Sequence, residues 1–104
     1  ARTFKRPVRP VELPGGDTAH VRGLTLAELR AVDTAVEDVE RPGERAVAAS
    51  VRVAALALVD ADGTRWFPEA SADDERVVSE LLTFDQLDAV FLAAVGGGKD
   101  HAKN

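Results

Sequence analysis

Apolar and polar residues alternate twice near the start of the chain, on either side of a run of turn-forming residues. Val11 and Leu13 alternate with polar neighbours before the turn, and His20, Arg22 and the residues around Val21 and Leu24 do so after it. The stretch 14–17 between them reads Pro-Gly-Gly-Asp, which favours a turn because proline fixes φ and glycine accepts positive φ. The pattern predicts a β-hairpin that leads directly into a helix.

The helix that follows has a start signal, an apolar stripe and a stop signal. Thr25 stands three residues before Glu28, the spacing of a capping box, in which both side chains satisfy free backbone N–H groups. Apolar residues then recur every three or four positions, which predicts a helix from Leu26 to Glu40. Pro42 disfavours helical geometry at Arg41 and is expected to end this helix.

A second helix is predicted from Glu44 to Val59, and it is apolar on two sides. The two stripes consist of Val47, Val51, Ala54 and Leu58, and of Ala49, Val53, Leu56 and Val59. A surface helix normally has a single apolar face. We therefore expect this helix to be central in its domain or shared with another subunit.

Two capped helices are predicted in the last third of the chain. Ser71 begins the first helix, and Asp74 three residues later is its capping partner. Thr83 and Gln86 have the same spacing and form another capping box. The last helix is expected to run from Phe84 to Val95 and to end at the three glycines that follow. The inner side of the first of these helices is expected to carry Val77, Val78, Leu81 and Leu82.

Together these elements predict an α+β fold, with an N-terminal β-hairpin followed by a small bundle of about four helices. Residues 60–64 read as an Asp-Gly turn, and the short extended segment Arg65–Phe67 after it is a candidate third strand for the hairpin. We expect a basic N-terminal arm over residues 1–9, a single domain over 10–98, and a flexible tail over 99–104.

The composition indicates one small domain whose core is built from small side chains. The chain has 104 residues, 45% of them hydrophobic, yet only one Trp, four Phe and no Tyr. Such a core buries little area per residue, so self-association or a partner would add burial. The absence of Cys excludes disulfides and thiolate metal sites. The longest apolar run, Val53–Val59, is too short to span a bilayer, so we expect a cytoplasmic protein without membrane contact.

The net charge of −5 is unevenly distributed along the chain. Residues 1–9 contain four basic residues and no acidic one, whereas the remainder carries a net charge of −9. A basic arm could contact nucleic acid, but the acidic body would repel phosphate. We therefore expect a solvated or partner-ordered arm and no nucleic-acid partner.

The candidate catalytic and metal-binding residues lack the spacing that such chemistry needs. Asp60 and Asp62 resemble part of a calcium loop, but the glycine and the final glutamate of such a loop are not at their required positions. His20 and His101 have no helical partner at metal-ligand spacing. The acidic run 73–75 suits the first turn of a helix. We expect no catalytic residue, cofactor or metal, and a protein that is not an enzyme.

Several short motifs follow one another in order between Val11 and Gly98. A Leu-Pro-Gly-Gly hairpin leads into Val-Arg-Gly-Leu-Thr-x-x-Glu at 21–28, and Ala-Leu-Val-Asp-Ala-Asp-Gly at 57–63 runs into Trp66-Phe67. A final helix then ends at glycines. This order and spacing resemble the tail assembly chaperones of long-tailed (siphovirus-type) bacteriophages.

The resemblance implies a chaperone that binds the tape-measure protein, a long and largely helical chain that would otherwise aggregate. Such a chaperone keeps its client soluble, helps to recruit tail-tube protein subunits and is absent from the mature virion. The resemblance also implies a homo-oligomer and a second, longer form made by ribosomal frameshifting. Gly98-Lys99 can be encoded by the slippery heptamer G-GGA-AAG.

A groove for a client helix requires apolar side chains, although the same residues would suit an ordinary core. Trp66 and Phe67 form an aromatic pair that is either an interface anchor or a core plug. The expected partner-binding residues are Val32, Val36, Val53, Leu56, Trp66, Phe67, Phe84 and Phe91.

Two other functions are alternatives. A structural tail or neck component would be retained in purified virions, whereas a chaperone would not. A small nucleic-acid-binding regulator would use the arm from Arg2 to Arg9, and its binding would fall steeply with salt.

Overall fold

A computed structural model describes residues 6–96 of the chain, which form a three-stranded antiparallel sheet and four helices. The α+β class predicted from the sequence is confirmed. The first five residues of the predicted arm and the predicted tail 99–104 lie outside the described residues. The elements are β1 (Val8–Glu12), β2 (Thr18–Arg22), α1 (Leu26–Val36), α2 (Pro42–Ala57), β3 (Leu58–Val59), α3 (Ala72–Leu81) and α4 (Phe84–Val95).

The predicted hairpin is present, and its turn depends on two glycines. Gly15 and Gly16 have φ values of +103° and +101°, which side chains with a Cβ rarely adopt. The Leu13 N–H donates to the Asp17 carbonyl at 2.7 Å and closes the turn. β1 and β2 then pair from Val8 opposite Arg22 to Glu12 opposite Thr18.

The third strand comes from the end of the predicted second helix and not from the Arg65–Phe67 segment. β3 pairs with β2, with Leu58 opposite Val21. Arg65 forms only an isolated bridge with Val59. The expected pairing of Arg65–Phe67 with the hairpin is therefore corrected. Leu58 and Val59 continue the apolar pattern of α2, but pairing with β2 gives their backbone groups partners in the sheet.

The bounds of the first two helices also differ from the prediction. α1 ends at Val36 and not at Glu40. The next residues include several acids, which the negative end of the helix dipole disfavours. α2 begins at Pro42, which was expected only to end the preceding helix, and stops at Ala57 before Val59. Proline suits the first helical position because its missing N–H would have no partner there.

The three predicted capped helix starts are confirmed, and α4 has its predicted bounds. In each capping box the N-cap hydroxyl accepts from the backbone N–H three residues later, and that residue's side chain accepts from the N-cap N–H. The pairs are Thr25 with Glu28, Ser71 with Asp74, and Thr83 with Gln86.

α2 is the central helix, as its two apolar stripes predict. It contacts α1, α3 and α4, and the sheet lies beside α4. Ala54, Ala55 and Ala57 have no exposed surface, so neighbouring elements pack directly against the α2 backbone. Among the described residues, the largest fully buried side chains are Leu58, Val21, Val53, Val59, Val78 and Val90.

α3 turns a different face to the core than the sequence suggested. Val78 is fully buried and Leu82 half-buried, but Val77 and Leu81 are 42% and 54% exposed. They were expected on the inner side, and this expectation is wrong. The main neighbour of α3 is α2, and a helix with one main neighbour leaves part of its surface exposed.

Candidate functional site

A groove with a volume of about 900 Å³ runs between α2 and α3. One wall of the groove is formed by residues from successive turns of α2, and the other wall is formed by α3. We call it the α2–α3 groove, and its lining residues are Arg41, Gly43, Glu44, Val47, Ala48, Val51, Ala72, Glu75, Arg76 and Ser79.

The middle of the α2–α3 groove is apolar and built from small side chains. Val47 is 41% exposed, Val51 lies below it at 8%, and Ala48 and Ala72 flank them. Side chains of this size allow another backbone to approach closely. The α2 wall from Gly43 to Val51 is about 12 Å long, or roughly two helical turns.

Charged pairs lie at the margins of the α2–α3 groove. Arg41 and Glu44 form an exposed ion pair at 3.3 Å near the start of α2. Arg52 joins α2 to Glu75 on α3, with Arg52 Nη2 3.3 Å from Glu75 Oε2. That carboxylate oxygen is buried without an aligned hydrogen bond, so the contact is an ion pair only. The groove therefore combines an apolar floor with charges of both signs.

The structure distributes the expected partner-binding residues between core and surface. Val32, Val36 and Val53 are 3%, 6% and 1% exposed and belong to the interior. Leu56, Phe67 and Phe91 are half-buried. Trp66 and Phe84 are 41% and 68% exposed. Of these eight residues, only Trp66 and Phe84 have exposed side chains.

Trp66 is held at the surface by the turn that precedes it. Its indole Nε1–H donates to Asp60 Oδ1 at 3.1 Å, and its ring meets Phe67 edge to face with centroids 6.3 Å apart. Phe67 packs against the core, so the pair contains one inward and one outward aromatic ring. The structure therefore fits the core interpretation for Phe67, whereas Trp66 is exposed and stays a candidate interface anchor.

A second apolar surface lies on α3 and α4. None of its members lines the α2–α3 groove, and its two α3 residues occupy other positions in the helical repeat than the groove-lining residues of that helix. We call it the α3–α4 surface, and it consists of Val77, Leu81, Phe84 and Leu92.

The sequence contained a signal for the α2–α3 groove that was assigned to the core. Val47 and Val51 belong to the first apolar stripe of the two-sided helix. Ala54 and Leu58 at the C-terminal end of that stripe are buried, whereas Val47 at its N-terminal end is 41% exposed in the groove. The stripe was visible in the sequence, whereas the position of α3 was not.

The remaining observations concern metal ligands, a shifted pKa and membrane-spanning helices within the described residues. Within residues 6–96, no group of three His, Cys, Asp or Glu side chains lies close enough to hold a metal ion. The backbone N–H of Thr64 bonds to the Asp62 carboxylate at 3.0 Å and lowers the pKa of Asp62. Over the same stretch, no helix is long and apolar enough to cross a membrane.

Comparison of the chain with protein-family models, with curated proteins and with solved structures finds no match.

Proposed function

We propose that this chain is a tail assembly chaperone that binds an amphipathic helix of the tape-measure protein in the α2–α3 groove. The motif order along the chain suggests the family. The exposed apolar floor of the groove is the observation that carries the proposal, because it accepts a partner without opening the core.

The dimensions and chemistry of the groove suit a short helical contact. About two turns of a client helix would place two or three apolar residues over Val47 and Val51. The small side chains Gly43, Ala48 and Ala72 would let the two backbones approach. Charges of both signs at the margins would pair with the polar flanks of the client.

A small groove also supports reversible binding. A chaperone of this kind must release its client to tail-tube protein, so a contact of a few side chains is more useful than a large interface. The chaperone then acts by covering apolar client segments in turn, in the host cytoplasm and without catalysis, cofactor or metal.

The first experiment is co-expression of the chain with the tape-measure protein from the same phage genome. We expect more soluble tape-measure protein than in its absence, and a complex that survives purification. An insoluble client and no complex would contradict the chaperone function.

Two substitutions then test the groove itself. Val47→Glu places a charge on the groove floor, and Val77→Glu places the same charge on the opposite side of α3. The two residues are 41% and 42% exposed, so neither change should unfold the protein. V47E should abolish client solubilisation and V77E should retain it. Equal behaviour of the two variants would exclude the α2–α3 groove as the binding site.

The alternatives make different predictions. A tail or neck component would be found in purified virions, whereas the chaperone should be absent from them. A nucleic-acid regulator would use the basic arm, of which Arg9 belongs to β1 and Arg6 is paired with Glu28 at 3.1 Å. The Arg6 guanidinium is thus already engaged by a carboxylate of the chain itself.

A further inference from the structure

Three arginines from distant parts of the chain converge on one cleft beside the sheet. Arg6 precedes β1, Arg22 ends β2, and Arg65 follows the turn after β3. The cleft has a volume of about 530 Å³, and residues 61–63 of the turn form its opposite wall. We call it the basic cleft. It is separate from the α2–α3 groove, with which it shares no lining residue.

Two of the three arginines are fixed by the protein itself. Arg22 has a side chain only 11% exposed, donates from Nε to the Leu56 carbonyl at 2.9 Å, and places Nη2 3.3 Å from Glu28. Arg6 Nη1 reaches both oxygens of the same carboxylate, at 3.1 and 3.2 Å. Glu28 therefore neutralises one of these two positive charges and holds both guanidinium groups in place.

Arg65 is less well satisfied. It is half-buried, and within residues 6–96 its Nε and Nη2 are buried without a hydrogen-bond acceptor. None of the ion pairs formed by the described residues includes it. Burying a cation without a partner is costly, and such a group is stabilised when an anion binds nearby.

The charge of the basic cleft favours an anion. Three guanidinium groups face two carboxylates, Glu28 and Asp62, which leaves one positive charge in a chain of net charge −5. Asp62 lines the cleft, but its carboxylate accepts from the Thr64 N–H. Guanidinium groups present paired donors that match the oxygens of phosphate and carboxylate.

We propose that the basic cleft binds a small oxyanion, a phosphate or a carboxylate, between Arg6, Arg22 and Arg65. The anion neutralises the charge of Arg65 and joins the start of β1 to the turn after β3. A nucleic acid is not the expected ligand, because the cleft is local and the surrounding protein is acidic.

The proposal is tested by titrating the intact protein with inorganic phosphate and, separately, with succinate, while following the arginine Nε–H signals by NMR. Sodium chloride at equal ionic strength is the control. The Arg65 and Arg22 signals should shift saturably with at least one oxyanion, and that of exposed Arg30 should not. Saturation by phosphate alone identifies a phosphate site, and saturation by succinate a carboxylate site. Shifts equal to those in chloride, or none, would overturn the proposal.

Substitutions sharpen the test. Arg65→Gln should weaken binding about tenfold or more, since hydrogen bonds to charged groups contribute that much. Arg30→Gln makes the same charge change on α1 and should leave affinity unchanged.

Asp62→Asn keeps an acceptor for the Thr64 N–H and removes the negative charge that opposes an anion in the cleft, so it should tighten binding about two- to fivefold. An effect of R30Q equal to that of R65Q, or weaker binding by D62N, would contradict a specific site. Because the wild-type titration reads Arg65 directly, the test stands even if R65Q fails to fold.

Discussion

The carboxylate of Glu28 joins three segments of the chain. It accepts from the Thr25 backbone N–H at 2.9 Å and pairs with Arg6 and Arg22 at 3.1 and 3.3 Å. A residue predicted as a helix cap thus also connects α1 to the hairpin. The local role was predictable from the three-residue spacing, but the ion pairs depend on chain segments brought together only by folding.

Glu28→Gln separates the two roles of this side chain. Gln86 fills the same capping position in α4, so glutamine should preserve the cap and lose only the ion pairs. Because Arg22 would stay largely buried without a counter-ion, we expect a loss of about 1–3 kcal/mol in the free energy of unfolding. The control is Asp74→Asn in the α3 capping box, expected to cost less than about 1 kcal/mol. Equal urea-denaturation midpoints for E28Q and wild type would contradict this role.

Asp62 should titrate below its ordinary value. The backbone N–H of Thr64 stabilises the charged carboxylate and lowers the pKa of Asp62 from 3.8. This bond stabilises the folded protein at pH values above 3.8, the ordinary pKa of the group. The stabilisation is lost as the pH falls through the lower pKa of the folded state. Carboxyl-carbon NMR should place the midpoint below 3.8, and the D62N variant should lack this part of the acid response. A midpoint at or above the ordinary value would exclude the bond to Thr64 in solution.

At the scale of elements, α2 is constrained by its small residues. Ala55 has no exposed surface, and three helices meet α2. Ala55→Leu should therefore overpack the interior and lower the free energy of unfolding by about 1–3 kcal/mol. Ala46→Leu, an exposed position of the same helix, should change it by less than about 0.5 kcal/mol. Chemical denaturation of both variants makes the comparison, and a tolerated A55L would show that the core is loosely packed.

The predictions that failed share a cause. Pro42 can end one helix or begin the next, and the sequence rule does not distinguish the two. Leu58 and Val59 continue an apolar pattern that fits a helix or a strand equally well, and only pairing with β2 decides. By contrast, the caps at Ser71 and Thr83 depend on neighbours three residues away, so the starts of α3 and α4 were predictable.

At the scale of the whole molecule, two apolar surfaces are exposed, and the sequence identified only parts of them. Phe84 was expected to contact a partner and is 68% exposed, whereas Val53 was expected to do so and lies in the core. Each of these two residues is apolar and recurs at the helical spacing that is typical of a face turned towards the core. Which faces become covered depends on how many neighbours each helix has, and the pattern of one helix does not contain that number.

If the chain forms the expected homo-oligomer, the α3–α4 surface is the one we expect to mediate it. Phe84→Glu should then shift the sedimentation profile towards the monomer at concentrations where the wild type associates, because it replaces the most exposed apolar side chain of α4 with a charge. V47E, in the α2–α3 groove, should leave the profile unchanged. An associating F84E variant would place the contact elsewhere.

The edge of the sheet limits how copies of this chain can join. β1 is an outer strand, and Pro10 within it and Pro7 just before it have no N–H to donate. On the opposite side, β3 is two residues long and already bridged by Arg65. Growth by strand addition, the route to amyloid-like fibrils, is therefore blocked at both margins. Within residues 6–96, we therefore expect copies of this chain, or the chain and a client, to join through helix surfaces and exposed side chains such as Trp66 and not through strand pairing.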